Sequence, residues 1–216
     1  MMEKGIKIAI PKGYLFEPCV NVLKKAGYNV KSLTEDSRKL CIDSPEDSIQ
    51  YVISRSMDVP VYVEHGACDI GFSGKDVLME KESNVYELLD LKVGECRIVL
   101  ATLKDYEEKV KEHYMHFGIV RVATSYPNIT KKYFDRMGIQ AEIIKLHGSV
   151  ELAPVLGIAD EVVDITSTGK TLKENNLVEM EEIAVSTARL IANITSYRVK
   201  YEMISDFIKR IKNTMN

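Results

Sequence analysis

Short apolar runs, each followed by a small-residue turn and then an amphipathic stretch, recur along the chain, and this alternation limits the fold more than any other feature. Residues 6–10 read as a buried strand. Pro11, Lys12 and Gly13 then turn into a helix with Leu15, Val22, Leu23 and Ala26 on one face and Gly27 as its stop. Residues 28–33 and 39–42 are short strand candidates, with Arg38 just ahead of the second, and 49–54 is a stronger one. Arg55 follows in a loop, Asp58 is a candidate N-cap, Pro60 suits a first helical turn and Gly66 ends the helix. Residues 68–72 form another buried strand, and 71–76 a loop leading to a helix start. Past Glu95 come strand 97–103, charged helix 105–115, strand 119–123, helix 128–137 stopped by Gly138, and strand 141–146. Ser149 is the candidate cap of the next helix, and Glu151 favours its N-terminal dipole. Strands near 181–185 and 188–193 precede a last helix with Ile204, Phe207, Ile208 and Ile211 on one face. Such alternation implies an α/β protein with mainly parallel sheets. The break near 94 and a return near 181 divide it into two lobes, 1–94 with about 181–216, and 95–180, with a ligand cleft expected between them.

Within that frame, residues 161–172 (EVVDITSTGKTL) carry the strongest chemical signal. An apolar run containing one acid, Asp164, leads into Thr166, Ser167, Thr168, Gly169, Lys170 and Thr171, a strand followed by a hydroxyl-rich turn and a helix start. The first N–H groups of a helix lack partners, the dipole places positive charge there, and hydroxyls add donors, so the turn suits a phosphate. Gly169 lets the backbone approach a ligand. A carboxylate at the carboxyl end of a strand, as Asp164 is, accepts hydrogen bonds from sugar hydroxyls. Phosphate beside ribose is the reading; a capped helix with no ligand fits the bare pattern too. The motif is not a Walker A loop, because GxxxxGK[ST] is absent. The loops at Lys12 and Gly13 and at 71–76 read as two further phosphate loops.

Composition narrows the classes. At 216 residues and 45% hydrophobic content there is ample core, and a net charge of −3 with interspersed signs argues against a nucleic-acid scaffold. Cys19, Cys41, Cys68 and Cys96 lie far apart, and His65, His113, His116 and His147 form no metal-ligand spacing with them, so a reduced cytoplasmic protein without a protein-bound metal site is expected. Residues 6–11 are too short for a signal-peptide core, and no segment approaches a membrane span.

The segments AIPKG, SRKL, RSMDVPVYVEHGACDIGFSGKDVL, VYELLDL, RVATSYPN, YFDRMGIQAEIIKLHGSVELAPVLGIADEVVDITSTGKTLKENNLVE and ARLIAN, in this order, closely resemble ATP phosphoribosyltransferase, the first enzyme of histidine biosynthesis. The resemblance implies that ATP, through N1 of its adenine, and 5-phosphoribosyl 1-pyrophosphate condense to N1-(5-phosphoribosyl)-ATP and pyrophosphate. It implies Ser167, Thr168, Gly169, Lys170 and Thr171 as the 5-phosphate loop, Asp164 on the ribose hydroxyls, and Glu151 as a further substrate contact. Arg55 and Arg38 match the family's arginines near the pyrophosphate, and Lys12 and Gly13 its first loop on the nucleotide side. By the residues alone, the two arginines read more readily as surface ion-pair partners. The family usually has Arg after that Gly; here it is Tyr14. Magnesium would arrive on the substrate phosphates. Ending in a single helix, the chain looks like the family's short form, which implies a homo-oligomer working with a regulatory subunit resembling a histidyl-tRNA synthetase. The same two-lobed architecture resembles type II periplasmic binding proteins, so a non-catalytic nucleotide or sugar-phosphate binder is the alternative.

Overall fold

The computed structural model describes residues 5–35 and 38–215. In chain order its elements are β1 (Ile6–Pro11), α1 (Phe16–Lys25), β2 (Cys41–Ser44), β3 (Ile49–Ser54), α2 (Val59–Glu64), β4 (Ile70–Gly74), α3 (Lys75–Lys81), β5 (Tyr86–Asp90), β6 (Cys96–Leu103) and α4 (Glu107–Phe117). There follow β7 (Ile119–Thr124), α5 (Pro127–Met137), β8 (Gln140–Lys145), α6 (Leu152–Val155), β9 (Glu161–Thr166), α7 (Lys170–Glu174), β10 (Leu177–Ser186), β11 (Ala188–Ala192), α8 (Ile194–Val199) and α9 (Tyr201–Lys212). They form two compact units, Met1–Gly94 with Thr187–Asn216, and Glu95–Ser186. The chain returns to the first unit at Thr187, later than the expected position near 181, because β10 stays paired with β6 through Ser186.

The first unit is built on a six-stranded sheet ordered β2-β3-β1-β4-β11-β5. Successive side chains of a strand point to opposite faces. Ile8 and Ile10 of β1 therefore enter a large core with Phe16 and Leu23 of α1 and Phe207 and Ile211 of α9, while Ala9 joins Val59 and Val63 of α2 in a smaller core on the other face. Each fully buried side chain of this size contributes about 1.5–3 kcal/mol. The second face demands a glycine in β4, since a Cβ on Gly71 would lie 2.9 Å from Val63 and 3.0 Å from Val59. The expected single C-terminal helix is broken at Lys200 into α8 and α9. The Lys200 ammonium reaches back to donate to Asp69 Oδ2 and the Gly5 carbonyl, each at 2.8 Å.

The second unit holds a five-stranded sheet ordered β10-β6-β9-β7-β8. Val99, Ala101, Val162, Leu172 and Leu177 share its core with Val150 and Ala153, while α4 packs on β7 and α5 on β8. Arg121 and Asp160 lock the start of β7 to the start of β9. The guanidinium donates to Asp160 Oδ1 at 2.7 Å and Oδ2 at 3.2 Å, and the Arg121 amide to Oδ2 at 3.0 Å. This fork sets the register that carries Asp164 to the far end of β9.

The α/β class and two-part plan hold, with two refinements. Parallel pairing is confined to β3-β1-β4 and β8-β7-β9, and the other neighbours are antiparallel. A parallel neighbour needs a crossover of a dozen or more residues, which the short turn from β2 to β3 does not provide. Residues 28–33 form no strand. The Asn29 amide donates to Asp47 Oδ2 at 2.9 Å and its side-chain oxygen accepts from the Lys31 N–H at 3.1 Å, a local turn that competes with ladder formation. Among the described residues no helix is long and apolar enough to cross a membrane.

Candidate active site

In the first unit, Lys12, Gly13 and Arg55 meet because β1 and β3 run parallel in register, with Pro11 opposite Ser54. The two strands therefore end together. The Lys12 N–H donates to the Ser54 carbonyl at 2.7 Å, and the Ser56 hydroxyl to the Lys12 carbonyl at 3.0 Å, so the loops carrying Lys12 and Arg55 are tied directly. β2 runs antiparallel to β3, and the Ile53 N–H donates to the Leu40 carbonyl at 2.8 Å, which places Arg38 at the same sheet end. Arg38 and Arg55 are exposed, and neither has a carboxylate partner among the described residues. The ion-pair reading of the two arginines thus finds no support. Carboxyl ends of parallel strands are where open α/β sheets present ligand groups.

In the second unit, the turn after β9 holds the predicted residues together. Gly169 takes φ +71°, the left-handed conformation, with open space where a Cβ would stand. Its N–H donates to the Thr166 hydroxyl at 2.8 Å, and the Lys170 N–H to the Thr168 hydroxyl at 3.4 Å. Ser167, Thr168, Lys170 and Thr171 are exposed. Leu172 anchors α7 in the core. Because α7 is only five residues long, its dipole is weak, and the donors the turn offers an anion are its amides and hydroxyls. The Lys170 ammonium lies along the helix, 3.7 Å from Glu174, and is not turned into the turn.

Asp164, at the mouth of that turn, carries a perturbed carboxyl group. Burial pushes its pKa up to about 6; the Ile165 N–H, donating to its Oδ1 at 2.8 Å, works against the shift, and the negative charge of Glu151 adds to it. Glu151 is thereby drawn to the site from the start of α6, where it occupies the N-cap position without making a side-chain cap bond. A carboxyl with a raised pKa beside a second carboxylate suits a ligand with hydroxyl groups, which donate to them.

Several expectations change here. The segment 71–76 is not a phosphate loop: Gly71 to Gly74 belong to the fully buried β4, and Asp76 is buried with its Oδ1 folded over Gly74, where a Cβ would lie 2.2 Å away. Ser149 does not cap α6; it sits at φ +48° ahead of Glu151. Asp58 is at the N-cap position of α2 but makes no side-chain cap bond. Tyr14, standing where the family usually has Arg, directs its hydroxyl to the Gly94 carbonyl at 3.3 Å. Sequence reasoning missed Ser56 and Glu35, whose carboxylate accepts from the Gly13 N–H at 2.8 Å, and neither carried a sequence signal. Thr166, named within the hydroxyl run, accepts from the Gly169 N–H.

Known proteins match this arrangement. The family model described as ATP phosphoribosyltransferase matches residues 55–213. The ATP phosphoribosyltransferase of Lysinibacillus sphaericus is 50% identical over 211 residues, 98% of this chain and 95% of the relative, and that of Halalkalibacterium halodurans is 48% identical over 206, covering 95% and 94%. Among solved structures, the ATP phosphoribosyl transferase (HisG:HisZ) complex from Thermotoga maritima aligns at TM-score 0.81 and 38% identity, covering 97% of this chain and 98% of that one. The periplasmic aliphatic sulphonate binding protein SsuA from Escherichia coli aligns at TM-score 0.63 and 12% identity, over 98% and 72%, a likeness of fold alone. On the family match and the near full-length identity, the chain belongs to the ATP phosphoribosyltransferase family.

Proposed function

We propose that the chain transfers the phosphoribosyl group of 5-phosphoribosyl 1-pyrophosphate to N1 of the adenine of ATP, with inversion at the anomeric carbon and departure of pyrophosphate, the opening step of histidine biosynthesis. The observation that carries the reading is Asp164: a half-buried acid with a raised pKa, directly ahead of an amide- and hydroxyl-lined turn, in a chain of this family. Asp164 accepts from the ribose hydroxyls, with Glu151 beside it. Ser167, Thr168, Gly169 and Thr171 take the 5-phosphate, and Lys170 adds charge by turning from Glu174. In the first unit Arg55 and Arg38 grip the departing pyrophosphate, and Lys12 and Gly13 serve the nucleotide phosphates.

The bond to the pyrophosphate oxygen breaks as the bond to N1 forms, so positive charge develops on the sugar and negative charge on the leaving group. That demands cations more than a general acid. Arginine meets the demand, since its planar fork holds two phosphate oxygens and keeps its charge. Magnesium enters with the substrate phosphates and belongs to the substrate. The regulatory partner is read from the Thermotoga maritima structure, a HisG:HisZ complex. A homo-oligomer and a cytoplasmic location complete the proposal.

The test is direct. Purified chain, ATP, magnesium and phosphoribosyl pyrophosphate, with and without a HisZ-type subunit, should yield phosphoribosyl-ATP, and Arg55→Ala should lower kcat by about one to three powers of ten. Substrate binding without product in both mixtures would leave the chain a binding protein, the alternative reading. Unchanged turnover of Arg55→Ala would remove that residue from the mechanism.

A further inference from the structure

The first loop already holds an anion, and the chain supplies it. Gly13 takes φ +83°, and its N–H, three residues ahead of the ten-residue α1, donates to Glu35 Oε1 at 2.8 Å. The rest of the loop is fixed by other bonds: Lys12 N–H to the Ser54 carbonyl, the Ser56 hydroxyl to the Lys12 carbonyl, and the Phe16 N–H to the Gly13 carbonyl at 2.9 Å. Glu35 lies outside every strand and helix, and it is exposed, so no packing demand explains an acid there. It stands at the sheet end that also carries Lys12, Arg38 and Arg55.

From this geometry we infer that Glu35 sets the affinity of the first loop for polyphosphates: its carboxylate occupies the Gly13 amide until a phosphate oxygen of the substrate takes its place. The inference rests on the proposed reading of Lys12 and Gly13 as a phosphate seat. One N–H does not serve two anions at full strength, and two negative groups a few ångströms apart repel. Every anion entering the seat therefore gives up part of its binding free energy to displace the carboxylate. A pyrophosphate or triphosphate end, with several charges to set against the neighbouring cations, overcomes that cost. A monoanion such as chloride or acetate does not. Glu35 is thus a specificity-determining residue that takes no part in the chemical step.

The test uses the full chain and inorganic pyrophosphate at fixed magnesium, with affinity read by calorimetry and the Gly13 amide followed by NMR. Glu35→Gln and Glu35→Ala should each bind pyrophosphate about three- to tenfold more tightly than the wild type, the scale of one solvent-exposed charge-assisted hydrogen bond. The Gly13 amide proton should move in the free Glu35→Ala variant, and pyrophosphate should bring it to one common position in all three proteins. A merely structural Glu35 would weaken binding when replaced. Equal or weaker binding by both variants overturns the inference, as does a Gly13 amide that ignores pyrophosphate. If that happens while the wild type still makes phosphoribosyl-ATP, the inference fails and the proposed function stands. If the wild type neither binds pyrophosphate nor forms product, both fail.

Discussion

Replacing Asp164 with Asn separates what this carboxylate does for the ligand from what it costs the empty protein. Asn keeps the oxygen that accepts from the Ile165 N–H and removes the charge that burial and Glu151 disfavour. The folded-state pKa, about 6, lies above the ordinary 3.8, so between those values the folded chain holds a proton that the unfolded chain has lost. Stability contributed by this group therefore falls as pH rises through that window, and the penalty is complete above it. At about 1.4 kcal/mol per pH unit the shift corresponds to about 3 kcal/mol, which partial solvent contact reduces to about 2 kcal/mol. Thermal melts of the ligand-free proteins should show Asp164→Asn the more stable at pH 8 by about that amount, or about 4–8 °C in Tm. The gap should close as the pH falls to 4. In the same variant, phosphoribosyl pyrophosphate should lose most of its stabilising effect, because the ribose hydroxyls no longer meet a carboxylate. A variant melting at or below the wild type at pH 8, or a gap that does not change with pH, would refute the electrostatic reasoning.

Three further outcomes follow from the same structure. Lys200→Met leaves Asp69, whose side chain is 8% exposed, with the Lys7 N–H as its remaining donor among the described residues, and should cost about 2–3 kcal/mol, or about 4–12 °C in Tm by calorimetry. Adding Asp69→Asn should recover part of that loss, and strictly additive losses would show that the two groups do not interact. Tyr51 is fully buried and its hydroxyl has no partner among the described residues, so Tyr51→Phe should be neutral or stabilising by about 0.5–1 kcal/mol in urea melts, and a clear loss would reveal a bond to buried water. Gly169→Ala meets no neighbour, so its effect is confined to the backbone: about 1–2 kcal/mol of strain, seen as a raised KM for phosphoribosyl pyrophosphate with the KM for ATP unchanged.

Much of the fold was legible because local and tertiary preferences agree. The apolar runs of β1, β3, β6, β7 and β9 are buried strands, and Gly138 stops α5 in the left-handed conformation, as its place after the amphipathic run implies. Misreadings arose where one residue type serves two purposes. Glycines 71 and 74 suggest a loop, yet one of them makes room for α2 and the other for the Asp76 carboxylate. Tyr28 and Leu33 suggest a strand, but they are buried from a turn that Asn29 and Asp47 impose. The turn after β9 was readable since its hydroxyls, Gly169 and Asp164 are contiguous. Glu35 was not, because a lone exposed acid acquires meaning only from the amide it reaches, twenty-two residues away.

The place of β11 in the first sheet has a consequence for how the protein is made. It lies between β4 and β5, so among the described residues the neighbour of β5 in that sheet is a strand about a hundred residues further along the chain, still missing when residues 86–90 leave the ribosome. The second unit, contiguous from Glu95 to Ser186, can meanwhile acquire all its strands as it emerges. The order of completion should therefore be inverted, with the later-synthesised half organised first and the N-terminal half waiting, an unpaired strand exposed, for its own tail. Stalling synthesis before residue 188 should leave β5 open to chaperones and to proteases, and releasing the last thirty residues should close it.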